Sequence, residues 1–276
     1  MPVLGLGTWG MGEKASSRTA EVKAVRTAID LGYRLIDTAE MYGEGGAEQV
    51  VGQAVADAIR EGSVAREDLF IVSKVYPHNA SRNGTLTACD RSRKRLGMDQ
   101  IDLYLLHWRG QHPLAQTVEG MRSLACRGDI AHFGVSNFDT DDMEQLMTAQ
   151  GRDQGVRCET NQIYYSLTQR GCEHSLAPWL LSKNMPLMAY SPIDRGVLAL
   201  DTTVKEIGYR HDASPAQVAL AWLMTRPGVV VIPKAVQEKH LRDNLAACGL
   251  SLTPDDLAEI EAAHPPPVGK TPLAVL

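Results

Sequence analysis

The sequence predicts a (β/α)8 barrel of the TIM type. Short runs rich in Val, Ile and Leu recur eight times along the 276 residues, and a polar segment with helical periodicity follows each run. The runs are almost continuously apolar, which is typical of parallel strands covered on both faces. Polar side chains stand at the carboxyl ends of several runs, where such a barrel carries its working residues. An open, doubly wound sheet is the alternative fold.

Strands and helices are predicted to alternate from one end of the chain to the other. The predicted strands are 3–8, 33–39, 69–75, 101–108, 130–136, 158–163, 186–192 and 229–234. The predicted helices are 19–31, 47–61, 81–97, 113–128, 139–149, 170–184, 214–226 and 237–247. We expect one domain over residues 1–276, since α/β barrels of about 250 residues commonly form one unit.

Residues typical of helix ends support these boundaries. Ser214 and Thr253, each followed by proline, are typical helix starts, and the second predicts a final helix. Glycine is expected to end three of the helices, at Gly32, Gly97 and Gly128. The tail after His264 contains three consecutive prolines, and we expect it to lie extended over one face of the barrel.

The composition excludes several classes of protein. A formal net charge of -5 with interspersed acids and bases provides no basic stripe, so a nucleic-acid partner is not expected. The five cysteines are widely spaced and form no C-x-x-C pair, so we interpret them as free thiols in a reducing compartment and expect no metal. The chain has no signal-peptide pattern and no apolar run of about 18 residues, and a cytoplasmic location without membrane contact is predicted.

Four polar residues form a candidate catalytic set at the barrel mouth. Asp37 ends the second predicted strand, Tyr42 follows it in the loop, Lys74 ends the third strand and His107 ends the fourth. Because neighbouring parallel strands lie about 4.8 Å apart, these side chains can converge. A single residue of any of these types is more often structural than catalytic. The prediction therefore depends on the four residues occurring together at the strand ends.

This set suits proton transfer to a carbonyl compound. Tyr42 is the predicted general acid, and the Lys74 ammonium is expected to lower the phenol pKa toward neutrality. Asp37 is expected to balance the charge of Lys74, and His107 to orient the carbonyl oxygen.

The motifs that carry these residues resemble those of the aldo-keto reductases, from Leu4 to about Leu252. GLGTW, RLIDTAEMYG, SKV, LLHW, GVSNF, TNQ, AYSP and IPK occur in the order of that family. The resemblance implies a barrel that reduces a carbonyl group with NAD(P)H, with the four residues above as its catalytic tetrad. No G-x-G-x-x-G follows a predicted strand, which argues against a Rossmann dehydrogenase.

The same resemblance implies the cofactor contacts. Ser136, Asn137 and Gln162 are expected at the carboxamide, Tyr190 against the nicotinamide ring, and Lys234 near the 2'-phosphate. The full implied set is Gly7, Thr8, Trp9, Asp37, Ser136, Asn137, Gln162, Tyr190, Ser191, Pro192, Ile193, Lys234, Ala235, His240, Asp243 and Asn244. Ala235 and His240 replace the usual serine and arginine of the family. Because histidine lacks the planar, permanently charged fork of arginine, we expect NADPH to be preferred with NADH also accepted.

The expected substrate pocket is small. It is predicted to comprise Trp9, Tyr42, Tyr76, His107 and Trp108. HWRG after the fourth strand departs from the more usual HWP of the family, which leaves the next loop less constrained. AEMYGEGGAE, HWRG and GKTPLAVL resemble bacterial methylglyoxal-reductase-type members, which implies methylglyoxal and aromatic aldehydes as substrates. The N-terminal hairpin found in many members of the family is not expected. We expect the protein to be a monomer.

Two other functions are compatible with the sequence. A nucleotide-binding regulatory subunit of the same fold would show little turnover. A metal-dependent barrel hydrolase would need clustered His and Asp ligands.

Overall fold

The computed structural model describes residues 2–151 and 155–276. Within those residues, eight parallel strands form one sheet in which each strand pairs with the next along the chain. The strands are β1 (Gly5–Gly7), β2 (Leu35–Asp37), β3 (Phe70–Val75), β4 (Ile101–Leu106), β5 (Ile130–Ser136), β6 (Cys158–Tyr164), β7 (Leu187–Tyr190) and β8 (Val229–Val231). The predicted number and order of strands are therefore confirmed.

The sheet closes between its first and last strands. Isolated parallel bridges join Leu4 to Val231 and Gly7 to Lys234, and Gly7 N donates to Pro233 O at 3.0 Å. A Cβ atom on Gly7 would lie 2.8 Å from the Ile232 carbonyl oxygen, so this seam requires glycine. The structure is a (β/α)8 barrel, and the alternative of an open sheet is wrong.

The described residues form ten α-helices around the barrel. They are α1 (Arg18–Leu31), α2 (Gly46–Arg60), α3 (Arg82–Leu96), α4 (Leu114–Arg127), α5 (Thr140–Gln150), α6 (Leu176–Ser182), α7 (Thr202–Arg210), α8 (Pro215–Met224), α9 (Glu238–Ala246) and α10 (Pro254–Ala263). The helix ends predicted at Gly32, Gly97 and Gly128 are confirmed, since all three glycines have positive φ. Ser214 and Thr253 cap α8 and α10 as predicted.

Two helical predictions need correction. The helix predicted over 170–184 is a single 3-10 turn at Gly171–His174 followed by α6. A continuous helix would place Pro178 in its interior, where the ring clashes with a preceding carbonyl, whereas restarting at Leu176 puts this proline in the first turn. In addition, α7 was not predicted, although Asp201 caps it and buried Val204 and Ile207 have helical spacing.

The barrel interior explains how the polar residues reach its mouth. An inner cluster contains Leu35, Val72, Leu105 and Met188. Because side chains of a strand point to the same side every second residue, each strand carries its next inward side chain two positions further on. Those positions are Asp37, Lys74, His107 and Tyr190.

The tail after α10 crosses the carboxyl face of the barrel. Residues 265–276 form no helix or strand, and Val275 and Leu276 reach the cavity at the barrel mouth. This matches the expected extended segment. No helix among the described residues is long and apolar enough to cross a membrane.

Candidate active site

A cavity of about 640 Å³ opens at the carboxyl ends of the strands. Residues at seven strand ends and in the C-terminal tail contribute to its wall. The lining residues are Gly7, Trp9, Asp37, Met41, Tyr42, His107, Trp108, Arg109, Ser136, Asn137, Gln162, Tyr190, Ser191, Ile232, Lys234, Val275 and Leu276.

A buried ion pair joins Asp37 of this wall to Lys74 directly behind it. The ammonium of Lys74 donates to Asp37 Oδ2 at 2.7 Å and to the Thr38 carbonyl at 2.9 Å, and the two side chains are 0% and 3% exposed. Burial lowers the pKa of Lys74, while the negative charge of Asp37 acts in the opposite direction. Asp37 also accepts from Gln162 Nε2 at 2.8 Å, so both carboxylate oxygens are held in place.

The phenol of Tyr42 receives the third hydrogen bond of Lys74, at 3.2 Å. Tyr42 lies where the loop after β2 enters a 3-10 turn at Tyr42–Gly45, in which Gly43 and Gly45 have positive φ. Its pKa is raised well above the ordinary value, first by burial and then by the negative charge of Asp37. The expected lowering of this pKa is therefore wrong, because burial and the negative charge of Asp37 raise it. Tyr42 keeps its proton at neutral pH.

The imidazole of His107 stands beside Tyr42, with ring centroids 5.6 Å apart. Burial and the positive charge of Lys74 lower the pKa of His107 well below 6.5. The ring is therefore neutral at neutral pH. Its Nδ1 atom is buried and has no hydrogen-bond partner among the residues that the structure describes.

Amide and aromatic side chains from three further strands form the opposite wall. Asn137 follows β5 with a φ of +58°, a conformation that asparagine tolerates better than most residues. Its amide donates to the His107 carbonyl at 3.2 Å and accepts from the Tyr190 hydroxyl at 2.8 Å. The Tyr190 ring packs against that of Tyr164, with centroids 5.5 Å apart. These contacts link the ends of β4, β5 and β7 into one rigid wall.

Comparison with known proteins agrees with this arrangement. Residues 3–265 match the aldo/keto reductase family. The chain belongs to that family. It is 45% identical to the methylglyoxal reductase YeaE of Escherichia coli, over 99% of this chain and 94% of that protein. It is also 34% identical to a glyoxal reductase of Bacillus subtilis, over 96% and 89% of the two chains.

A solved structure extends the likeness to three dimensions. The crystal structure of an aldo/keto reductase from Klebsiella pneumoniae, in complex with NADP and acetate, superposes with a TM-score of 0.92 at 41% identity. The match covers 100% of this chain and 96% of that one. The prediction of an oxidoreductase of the aldo-keto reductase class is thus confirmed at the level of the family.

Most of the residues predicted for the site meet at the cavity. Thr8 and Lys74 lie directly behind its wall, and Thr8 donates to the Asp37 carbonyl at 2.9 Å. Tyr76 lies outside the lining but meets the edge of Trp108, with ring centroids 5.7 Å apart. The remaining predicted residues also lie outside the lining, and they are Pro192, Ile193, Ala235, His240, Asp243 and Asn244.

Five residues of the lining are not among the predicted site residues. Met41 adjoins Tyr42, and Arg109 was noted only as a departure from the family pattern. Ile232, Val275 and Leu276 are apolar side chains within the motifs IPK and GKTPLAVL, but no role was assigned to them. Their place in the wall depends on how the chain closes and on where the tail crosses it.

Two buried acids that support the site were also missed. Glu40 accepts from the Tyr76 backbone at 2.7 Å and pairs with Arg91, which ties the loop after β3 to the loop that carries Tyr42. Glu48 is fully buried and accepts from Ser73 Oγ at 2.6 Å and from Arg95. For Glu48, the available sequence signal was a glutamate within an apolar helical stretch. No group of three or more His, Cys, Asp or Glu among the described residues is arranged to hold a metal ion.

Proposed function

We propose that the protein reduces small aldehydes and ketones with NADPH, and that Tyr42 donates the proton. Methylglyoxal and aromatic aldehydes are the proposed substrates. The names of the Escherichia coli and Bacillus subtilis relatives support this substrate class, and so does the modest cavity of about 640 Å³.

The hydrogen bond between Lys74 and Tyr42 is the observation that carries this proposal. An ammonium has donors and no acceptor, so the phenol oxygen accepts this bond and its own hydrogen stays available. Tyr42 lines the cavity, and a carbonyl oxygen bound there would receive that hydrogen. The raised pKa keeps Tyr42 protonated until negative charge develops on the substrate oxygen.

The neutral imidazole of His107 would act as a second donor to the same oxygen. Since the low pKa of His107 excludes the doubly protonated ring, the imidazole would orient the carbonyl and leave proton transfer to Tyr42. The Lys74–Asp37 pair would hold the phenol in position and stabilise the phenolate as it forms.

The residues of the opposite wall suit a nicotinamide cofactor. Asn137 and Gln162 present amide groups beside the flat ring of Tyr190, so a planar ring with a carboxamide substituent has both a stacking surface and hydrogen-bonding partners. Ser136 adds a hydroxyl, and the exposed Lys234 would bind the 2'-phosphate. The reduced nicotinamide would supply the hydride. The NADP complex of the Klebsiella pneumoniae enzyme supports this assignment.

The preference between NADPH and NADH is proposed to be modest. His240 is exposed at the start of α9 and Ala235 is buried, so neither adds the charged fork that arginine would bring to the phosphate. We expect His240→Arg to raise the ratio of NADPH affinity to NADH affinity, measured by fluorescence titration. A higher kcat/KM with NADH than with NADPH in the unmodified protein would contradict the proposed preference.

Substitution of Tyr42 tests the proton-donor assignment. General acids contribute about 10²–10⁴-fold, so Tyr42→Phe should lower kcat with methylglyoxal at least about 100-fold while NADPH binding persists. Tyr209→Phe is the matched control, because Tyr209 is an exposed tyrosine on α7. Turnover retained in Tyr42→Phe would refute the assignment. NADPH binding without any turnover in the unmodified protein would instead favour a regulatory subunit.

A further inference from the structure

Arg109 places a loosely held positive charge on the wall of the substrate cavity. It follows His107 and Trp108 at the end of β4, and its side chain is 34% exposed. Its Nη1 atom lies 3.5 Å from the Gly110 carbonyl and 3.3 Å from the His112 carbonyl. A guanidinium carries five N–H donors, and these two contacts are long for hydrogen bonds. Arg109 therefore retains capacity for a further acceptor.

Asp142 is the nearest carboxylate to this guanidinium, and it is a weak partner. Its Oδ1 lies 3.8 Å from Arg109 Nε, beyond hydrogen-bonding distance. Its Oδ2 accepts from the Asp139 backbone in the capping box of α5. Burial raises the pKa of the Asp142 carboxyl, and Arg109 offsets only part of that rise. Asp142 thus caps a helix and accepts no hydrogen bond from Arg109.

Arg109 is the one charged lining side chain among the described residues that has no role in the proposed reduction. The charged side chains among the described lining residues are Asp37, Arg109 and Lys234. Asp37 is paired with Lys74, and Lys234 is proposed for the nucleotide phosphate. Arg109 stands instead beside Trp108, whose ring lies 5.0 Å from that of His107. It is a cation on the wall of the cavity that Tyr42 and His107 also line.

On this basis, and resting on the proposed carbonyl reduction, we infer that the substrates include small aldehydes that carry a carboxylate, which Arg109 binds. A guanidinium pairs with a carboxylate through two parallel hydrogen bonds, and this geometry fixes orientation as well as affinity. Trp108 provides an apolar surface for the part of the substrate between its carboxylate and its aldehyde group. With the carboxylate on Arg109, the aldehyde end is directed toward Tyr42 and His107.

A matched pair of substrates tests this inference. 4-Carboxybenzaldehyde and 4-carbamoylbenzaldehyde have nearly the same shape and differ by one negative charge. We expect Arg109→Gln to lower the ratio of their kcat/KM values about 10-fold to 100-fold, since a charge-assisted pair is lost. The change should lie mainly in KM of the carboxylate, because Arg109 does not touch the reacting atoms. Arg109→Lys should retain part of the preference, because it keeps the charge and loses the fork.

Arg82→Gln is the control variant, since Arg82 is an exposed arginine on α3 that pairs with Glu119. It removes the same charge at a residue outside the cavity lining and should leave the ratio unchanged. An unchanged ratio in Arg109→Gln would overturn the inference, as would an equal loss for both aldehydes, which indicates a structural role. Failure of the unmodified protein to reduce either aldehyde or methylglyoxal would refute the proposed function itself. Reduction of the neutral compounds alone would overturn only the role of Arg109.

Discussion

Replacement of Lys74 by methionine should destabilise the protein strongly, and the structure supplies the magnitude. The ammonium is fully buried and donates three hydrogen bonds, to Asp37, Thr38 and Tyr42. Methionine fills similar space but leaves the carboxylate of Asp37 charged, buried and without its counter-ion. Breaking a buried pair in this way costs about 3–5 kcal/mol in the free energy of unfolding.

A double-mutant cycle separates the ion pair from the packing. Asp37→Asn removes the second charge, and its side-chain oxygen still accepts from Gln162. We therefore expect the double variant Lys74→Met/Asp37→Asn to be more stable than Lys74→Met alone, with a coupling of about 2–3 kcal/mol between the two sites. Equilibrium urea denaturation followed by circular dichroism gives each free energy of unfolding at pH 7.

Lys23→Met is the matched control, because Lys23 is an exposed lysine on α1. It should change the free energy of unfolding by no more than about 0.5 kcal/mol. The reasoning is refuted if Lys74→Met costs less than about 1 kcal/mol, or if the effects of the two single substitutions simply add.

Two further predictions concern stability. The pKa of His107 in the folded protein lies below its ordinary value of 6.5, so the unfolded state binds more protons and stability falls as pH falls below 6.5. We expect His107→Gln to flatten this slope by up to about 1.4 kcal/mol per pH unit in urea denaturation; an unchanged slope would contradict the assigned pKa direction. Gly52→Ala should destabilise by about 1–3 kcal/mol in thermal denaturation, because the new Cβ would lie 2.6 Å from the Leu96 carbonyl oxygen. Gly249→Ala is its control, since no atom lies within 4 Å of that Cβ, and equal stability of the two variants would rule out the clash.

The barrel was predictable because parallel strands buried on both faces leave a strong pattern. Eight apolar runs separated by helical segments were enough for strand number and order. Strand ends were less predictable. The run predicted over 229–234 ends as a strand at Val231, before Pro233, which has no N–H to continue the ladder. The helix predicted over 170–184 begins only at Leu176 for a related reason, since Pro178 fits in the first turn of a helix and not in its interior.

The candidate tetrad was predictable because side chains on one strand repeat every two residues. Asp37, Lys74 and His107 each continue a row of inward apolar side chains, so their convergence followed once the strands were placed. The pKa of Tyr42 was not predictable in the same way. Its direction depends on how much water reaches the phenol and on its distance from Asp37, which are properties of the packed site.

The sequence by itself determined the fold class, the family and the residues that gather at the barrel mouth, because these follow from short-range periodicity and from motifs in order. Only the tertiary structure decided which further residues complete the wall of the cavity at the barrel mouth. Arg109, Val275 and Leu276 line the same cavity although the tail lies more than 160 positions from Arg109 along the chain. No local sequence pattern encodes this proximity, since it arises from closure of the barrel and from the path of the tail across it.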